Sequence, residues 1–482
     1  MTGQTPPPIS GWEDELHALM QDDRRPHNAG QSAHNDEIKS CFCCALHMHQ
    51  PTIPAGKQGE LISHLEYMFD HSEQGDNHNA GPFAHCYRRL ADIIPELIQE
   101  GCDPKIMLDY SGNLLWGFEQ MGRDDITEAL KYLTLDPEMQ RHVEWLGTFW
   151  GHAVAPSTPI ADFKLQISAW QHQFASMFGR DALRRVHGFS LPEMHLPNHP
   201  DTLFELLHAL RDAGYNWLLV QEDSVEQWDG SPLNHGQKYL PNQLVSQNSH
   251  GETIRMTALI KTQGSDTKLV GQMQPCYEAM AMGRQSHGDL TLPSLVTQIA
   301  DGENGGVMMN EFPDAYRQAN RRIRDDSNGT VAMNGSEYIQ WIQRQGVHSN
   351  DHPRIQAIHQ KALWDEVGSG MSPEAVTRAI QSLQHKNDGF SMQGASWTNN
   401  ISWVEGYEDV LDPMNQLSRD FHRRFDAAVA AEPATTATPH YQEALLHLLV
   451  LETSCFRYWG QGHWTDYARE IHQRGNDLLK QV

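Results

Sequence analysis

Two acidic residues far apart in the chain stand in settings that suit catalysis. Glu193 follows Gly-Phe-Ser-Leu-Pro, residues 188–192, and Asp301 opens Asp-Gly-Glu-Asn-Gly-Gly, residues 301–306. Each ends a short apolar run and precedes a loop that leads towards a helix. That places both carboxylates at the C-terminal ends of strands, the face on which α/β barrels assemble their active sites. Two carboxylates brought together there suit glycoside cleavage, in which one donates a proton and the other attacks or activates water. Pro192 removes a backbone donor and fixes the chain's exit, so the side chain after it is held at a defined angle. Gly302, Gly305 and Gly306 allow close backbone approach around Asp301. The plainer readings are a helix-capping Glu and an acidic turn, although the Asp301 loop lacks the periodic acids of a calcium-binding EF-hand loop.

Other residues could assist such a pair. His47-Met48-His49-Gln50-Pro51 ends the first apolar run. Strand alternation puts His47 and His49 on one face, pointing into the barrel mouth. With Gln50 they could hydrogen-bond sugar hydroxyls or hold a metal; in a chain with 28 His, a solvated strand-end turn is the plainer reading. Val143-Glu144-Trp145-Leu146-Gly147 reads as an acid and an indole at the end of another strand, able to orient a hydroxyl and stack on a sugar ring. A capping Glu beside a core Trp explains it equally, and His152 just downstream shares the ambiguity. Glu303 lies in the Asp301 loop. Trp397, Trp403, Tyr458, Trp459 and Trp464 are helix-core residues or sugar platforms.

These residues need strands to carry them. Apolar runs at Cys41–Met48, Lys105–Tyr110, His142–Gly147, Arg185–Leu191, Trp217–Gln221, Ile254–Ile260, Leu269–Met273 and Ser294–Ala300 predict strands. Between them lie helical patterns. The clearest is Asp162–Phe178, with Phe163, Ile167, Trp170, Phe174 and Phe178 on one face, followed by Asp201–Ala213, which Gly214 closes. Strands alternating with helices over this length predict a parallel sheet closed into an α/β barrel. After residue 325 the pattern turns helical, at Ser336–Gly346, Pro373–Gln384, Tyr407–Ala431 and His440–Leu451. The organisation expected is a polar N-terminal arm over 1–38, of which Trp12 to Met20 could form a turn or two of docked helix. A catalytic barrel follows over 39–325. An α-helical C-terminal region over 326–482 then packs on it and closes the cleft.

Composition narrows the partners. The chain has 482 residues, 39% hydrophobic, with a formal net charge of −26 and a mean hydropathy of −0.59. A soluble globular protein is expected. The charge disfavours nucleic acid and anionic membrane surfaces, and no apolar run approaches the length of a membrane span. Seven Cys, three of them inside the apolar run 40–46, behave as small buried hydrophobes of a reduced protein. Without a basic segment leading into an apolar one at residues 1–8, the expected location is the cytoplasm. No paired zinc-type Cys pattern is present, so no structural metal is expected.

Taken in order, these segments resemble glycoside hydrolase family 57. The family's first motif matches His47 to Pro51, its Glu motif Val143–Gly147, its Leu-Pro-Glu motif Ser190–Glu193 and its Asp-x-Glu-x-x-Gly motif Asp301–Gly306. Leu108–Trp116 looks like its second strand and following helix, and Gly394–Trp397 is similar to a downstream Gly-Ser-Trp element. Ser190 stands where an aromatic is common, and Asn304 where a His or bulky residue is frequent. The resemblance covers residues 41–310 best. It implies an incomplete seven-stranded parallel (β/α) barrel with a helical C-terminal region, acting on α-1,4-linked glucans by a retaining mechanism. Glu193 is then the nucleophile and Asp301 the general acid/base. His47, His49, Gln50, Glu144, Trp145, His152, Glu303, Trp397, Trp403 and Trp459 are then substrate contacts, with no cofactor and no metal. Two other readings stay open at this stage. One is a metal-dependent polysaccharide deacetylase or α-mannosidase-like enzyme of related barrel fold, with ligands among His47, His49, His152 and Asp301. The other is a glycan-binding barrel whose site has drifted.

Overall fold

Seven apolar runs become the staves of a parallel barrel in the computed structural model, which describes residues 5–26, 38–262, 271–303, 311–325, 329–394, 407–458 and 462–481. They are β1 (Ser40–Met48), β2 (Ile106–Tyr110), β3 (Val143–Gly147), β4 (Gly188–Ser190), β5 (Trp217–Gln221), β6 (Thr253–Lys261) and β7 (Leu290–Asp301). Each pairs in parallel with the next, and β7 returns to β1 along a register running from Ser40–Ser294 to His47–Asp301. Among the described residues β6 meets β7 at the single pair Lys261–Thr297. The first half of β6 is occupied elsewhere, by the strand Asn242–Gln247, which runs antiparallel to it from Thr253–Gln247 to Ala258–Asn242. That strand leads on to Arg354–Ala357 and Val225–Gln227, making a side sheet.

Alternation sorts the side chains of each strand. Ala45, Met107, Leu146, Leu219, Leu259 and Ile299 face inward and form one buried cluster. Their sequence neighbours Leu46, Leu108, Trp145, Leu218, Ile260 and Ala300 face outward into the core beneath the helices. Gly188 has no side chain because the Trp217 indole fills that space; a Cβ there would lie 2.2 Å from the ring.

The helices that matter for the site are α1 (Glu13–Met20), α2 (Gly112–Gln120), α3 (Asp162–Phe178), α4 (Gly335–Arg344), α5 (Glu408–Ala431), α6 (Pro439–Leu451) and α7 (His463–Leu479). α3 buries more than its aromatic face: Gln166, Gln171, His172 and Gln173 are buried too. The N-terminal arm accounts for part of that. It forms α1, which docks on α3 through a Trp12 N–H···Nε2 bond to His172 of 2.9 Å and Trp12–His172 ring stacking. Leu16 and Met20, one helical turn apart, are its buried residues. α5, α6 and α7 pack on one another. α6 is buried on nearly every side from Ala444 to Leu451, because it lies between its two neighbours and the barrel, with its Leu449 carbonyl against Gly151.

Four expectations need correction. The chain after residue 325 is not purely helical: Thr330–Ala332 pairs with β1, and Arg354–Ala357 joins the side sheet. Of the strand expected at Leu269–Met273, Leu269 and Val270 lie outside the described residues, Gly271–Met273 are helix and turn, and Met273 is the left-handed cap of the helix Gln274–Ala281. Glu144 is the second residue of β3, so it sits at the barrel's floor and not at its mouth. There α4 closes the barrel, with Tyr338, Trp341 and Ile342 joining the inner cluster. Glu144 accepts from the Ser336 backbone N–H at 3.1 Å and from its hydroxyl, and Trp217 donates to the same hydroxyl at 2.9 Å. Trp145 faces outward, packed on Tyr110, Phe174 and Phe178, and gives its N–H to Thr134 Oγ1 at 2.9 Å.

Burial pushes the Glu144 carboxyl up to about 7, against the two Ser336 hydrogen bonds. Glu144→Leu leaves those Ser336 donors buried without an acceptor, which costs about 1–3 kcal/mol. Urea denaturation should show that loss, while Glu144→Gln, which keeps an acceptor in place, should lie within about 1 kcal/mol of the parent protein.

Candidate active site

Continuing the inward row of each strand by one step reaches a ring of polar residues at the C-terminal end of the barrel: His47, Asp109, Thr148, Ser190, Gln221, Lys261 and Asp301. All but the half-buried Asp301 are buried. Thr148 Oγ1, Ser190 Oγ and Gln221 Oε1 have no hydrogen-bond partner among the described residues. Polar atoms buried above an apolar barrel are costly unless something meets them. This ring is therefore the candidate site on energetic grounds alone.

His47 is its centre. Asp109 Oδ2 lies 3.1 Å from Nδ1, and His152 Nε2 lies 2.8 Å from Nε2. Burial opposes charge on this ring, but Asp109, helped by Asp301 and Glu303, outweighs it and raises His47 to about 10. An imidazolium donates from both nitrogens. His152 must then accept at Nε2, which leaves its Nδ1 carrying the proton. Nδ1 lies 2.8 Å from Ser454 Oγ and 3.9 Å from Glu193 Oε1. Burial first, then the neighbouring His49, His47 and Arg457, hold His152 far below the usual histidine range. His49 is neutral for related reasons, burial first and then His47. It stacks on His152 at 4.0 Å between centroids, with Nδ1 2.8 Å from Ser111 Oγ and Nε2 3.4 Å from Cys455 Sγ.

Glu193 projects from a strained turn. It has φ 59 and ψ 15, and Met194 follows at φ 50. Left-handed geometry in two successive residues that are not glycine costs about 1–3 kcal/mol each and persists only where surroundings impose it. Here the surroundings are Pro192 within the turn and, beyond it, two clamps from the chain around residue 393. His195 Nε2 lies 2.8 Å from Gln393 O, and Gly394 N donates to Asn198 Oδ1 at 2.8 Å. His152, at φ 56, is strained in the same sense. Beside Glu193 lies Arg457, fully buried, donating to Ser157 Oγ and, at 2.9 Å, to Glu452 O. Burial lowers its guanidinium to about 10, against the pull of Glu452, Cys455 and Glu193.

Asp301 is the strand partner of His47 across the β1–β7 register. Burial raises its carboxyl above the usual range; His47 pulls it down and Asp109 pushes it up. Glu303 is raised to about 8, by burial first, with Asp301 adding to it and His47 opposing. It accepts from the His49 backbone N–H and from Tyr87 at 3.2 Å. The arrangement thus offers a carboxyl beside the Arg457 cation and the His152 donor at Glu193, and an acid raised by burial at Asp301. Both lie at the same barrel end, joined through His152 and His47.

Of the residues singled out in the sequence, the structure brings together His47, His49, His152, Glu193, Asp301 and Glu303. Gln50 lies at the rim, with Oε1 3.4 Å from His64 Nδ1. Glu144 and Trp145 are elsewhere, and Trp397, Trp403 and Trp459 lie outside the described residues. Asp109, Ser454, Cys455 and Arg457 were not foreseen. Among the described residues no group of three or more His, Cys, Asp or Glu side chains is arranged to hold a metal ion.

Residues 44–256, from within β1 to within β6, match the model of glycosyl hydrolase family 57. Over that span, less than half of the chain, the sequence is similar to glycosyl hydrolase family 57. Among solved structures, the 4-alpha-glucanotransferase of Thermococcus litoralis superposes with a TM-score of 0.54 at 16% identity, covering 92% of this chain and 61% of that one. The chain therefore spans about three fifths of that protein's length. An exo-type maltose-forming amylase from Pyrococcus sp. ST04 gives 0.49 at 12% identity, covering 92% and 72%. A GH57-type branching enzyme from Pyrococcus horikoshii gives 0.45 at 12%, covering 91% and 88%. No curated protein matches the sequence. The 4-alpha-glucanotransferase superposition agrees with a family 57 fold of seven parallel strands followed by a helical region.

The charge on His47 holds the Asp301 proton more loosely than burial alone would. His47→Gln removes that cation and leaves Asp109 uncompensated, and both changes act to raise Asp301. In a carbon-13 carboxyl titration the Asp301 signal should move to higher pH in the variant. An unchanged or lower midpoint would show that His47 does not act on it.

Proposed function

We propose that this chain is a retaining carbohydrate-active enzyme that cleaves or transfers α-1,4-linked glucosyl units. The observation that carries the reading is the pairing of two unlike carboxylates at one barrel end. Glu193 faces the His152 N–H and the Arg457 cation, and burial raises the Asp301 carboxyl above the usual range. Unequal environments for two acids are what divide the roles of nucleophile and general acid. The family match and the α-glucan enzymes named among its structural relatives support the substrate class.

In the reaction proposed, Glu193 attacks the anomeric carbon while Asp301 gives its proton to the departing glycosidic oxygen, leaving a covalent glycosyl-enzyme and ionised Asp301. Asp301 then takes a proton from water or from a sugar hydroxyl, which attacks the anomeric carbon and releases Glu193. His152 orients Glu193, and His47 tunes Asp301. No cofactor enters this scheme. Residues 39–325 would form the catalytic unit, with the later chain bracing and covering it.

Incubation with maltoheptaose tests the reading. Shorter products alone mean hydrolysis, and longer with shorter products mean transfer. Proton NMR should show the α-anomer first. Asp301→Asn should lower kcat by about 10²–10⁴-fold, the range for a positioned general acid. Glu193→Gly should be inactive, regaining turnover with azide and forming a β-glycosyl azide as the small anion occupies the nucleophile's place. Activity of Glu193→Gln near that of the parent would place the nucleophile elsewhere.

A further inference from the structure

The side sheet carries a depression of about 610 Å³, away from the barrel mouth. Trp228, Trp364 and Met371 supply its apolar surface, and Arg354, Gln356 and Asp229 its polar groups. Trp228 is 47% exposed, a large apolar side chain left facing water. The turn that carries it is closed by Gly230 N–H donating to Gln227 O at 2.9 Å and Ser231 N–H to Asp229 Oδ1 at 3.0 Å. Gly230 takes φ +85, and a Cβ there would press on Lys361 at 2.9 Å, so the turn lies directly against the helix Gln360–Val367 that bears Trp364. Trp364 is half-buried against the small core of Leu363, Val376 and Ala379.

An indole with its face in water suits a ligand that is apolar on its faces and polar at its edges. The volume lies within the range of small-molecule sites. The polar lining carries both signs, with Asp229 opposite Arg354 and Lys361, and Lys361 is engaged with Asp365 at 2.6 Å. A strongly charged ligand has no dominant counter-charge here, whereas a neutral polyhydroxylated one finds amide, guanidinium and carboxylate partners. The depression also stands on the segment that braces the catalytic turn. Arg354–Ala357 runs into Ile358, whose carbonyl accepts from Asn198 at 3.2 Å just beyond Glu193.

We propose that this depression is a second α-glucan-binding site, separate from the cleaving mouth, in which Trp228 and Trp364 are the sugar platforms and Gln356, Arg354 and Asp229 meet the hydroxyls. The choice of α-glucan rests on the function proposed above. Native affinity electrophoresis through gels containing glycogen reads it, with Glu193→Gln as the parent so that the polymer is not consumed. Glycogen should retard that parent. Trp228→Ala in it should raise the apparent Kd about tenfold, and Trp228→Ala with Trp364→Ala should abolish the retardation. In the enzyme with Glu193 intact, Trp228→Ala should leave maltotriose turnover unchanged. Equal retardation of parent and variants would overturn the site, as would a parent not retarded at all or a maltotriose rate that falls with Trp228. If the intact enzyme turned over no α-glucan but Trp228-dependent retardation persisted, the proposed reaction would fail and the binding site would stand.

Discussion

A charged imidazole buried in a protein interior survives only with an opposite charge against it and acceptors for both its protons. His47 meets this condition through Asp109 on one side and His152 on the other. The condition propagates. Because His47 donates to His152, the His152 proton must sit on the far nitrogen, towards Ser454 and Glu193. Because His152 and His49 lie stacked beside that charge, both stay neutral. Because His47 is also the strand partner of Asp301, the same charge sets how firmly that acid keeps its proton. Loss of Asp109 would remove the reason for this entire arrangement without touching either catalytic candidate.

The C-terminal chain takes part in this network and does more than cover it. Ser454 N donates to the His152 carbonyl at 3.1 Å, and Thr453 bridges Ala153. Together they hold the His152 backbone in its left-handed conformation. Cys455 meets His49, and Arg457 stands beside Glu193. Gln166 of α3 donates to Glu452 at 2.6 Å, tying this segment to the barrel's outer helices. The burial of α6 from Ala444 to Leu451, His447 included, follows from its place between barrel and helices, and that burial keeps the next few residues in register with the mouth.

Much of the barrel was legible because β-strands of a covered parallel sheet are short apolar runs: four of the eight expected runs contain barrel strands in full, and three more lie within longer ones. The site was legible in part. Glu193, Asp301, His47, His49 and His152 stand next to Pro, Gly or paired His, which mark strand ends. Glu144 misled because its motif does not show where the strand begins: β3 starts at Val143, so the acid lies at the floor. Asp109 was missed although a carboxylate inside Ile-Met-Leu-Asp-Tyr, one alternation step beyond Met107, was a usable signal, and Lys261 after Leu259 is the same case. Ser454, Cys455 and Arg457 stand in a segment, 454–459, whose likeness to the family's aromatic fifth motif is loose, and only the tertiary path of α6 brings them to the mouth. The side sheet was missed because Asn242–Gln247 mixes polar and apolar residues on both faces and Arg354–Ala357 pairs with strands far back in the chain.

Among the described residues a single pair, Lys261–Thr297, joins β6 to β7, whereas β7 and β1 are held along eight pairs. In mechanical terms the barrel is a hoop with one short seam. Glu193 follows β4 and Asp301 ends β7, and the continuous arc between them runs through β3, β2 and β1 without crossing that seam. A widening of the hoop at the seam would be absorbed on the β5–β6 side. The separation of the two carboxylates would still be set by the closed side.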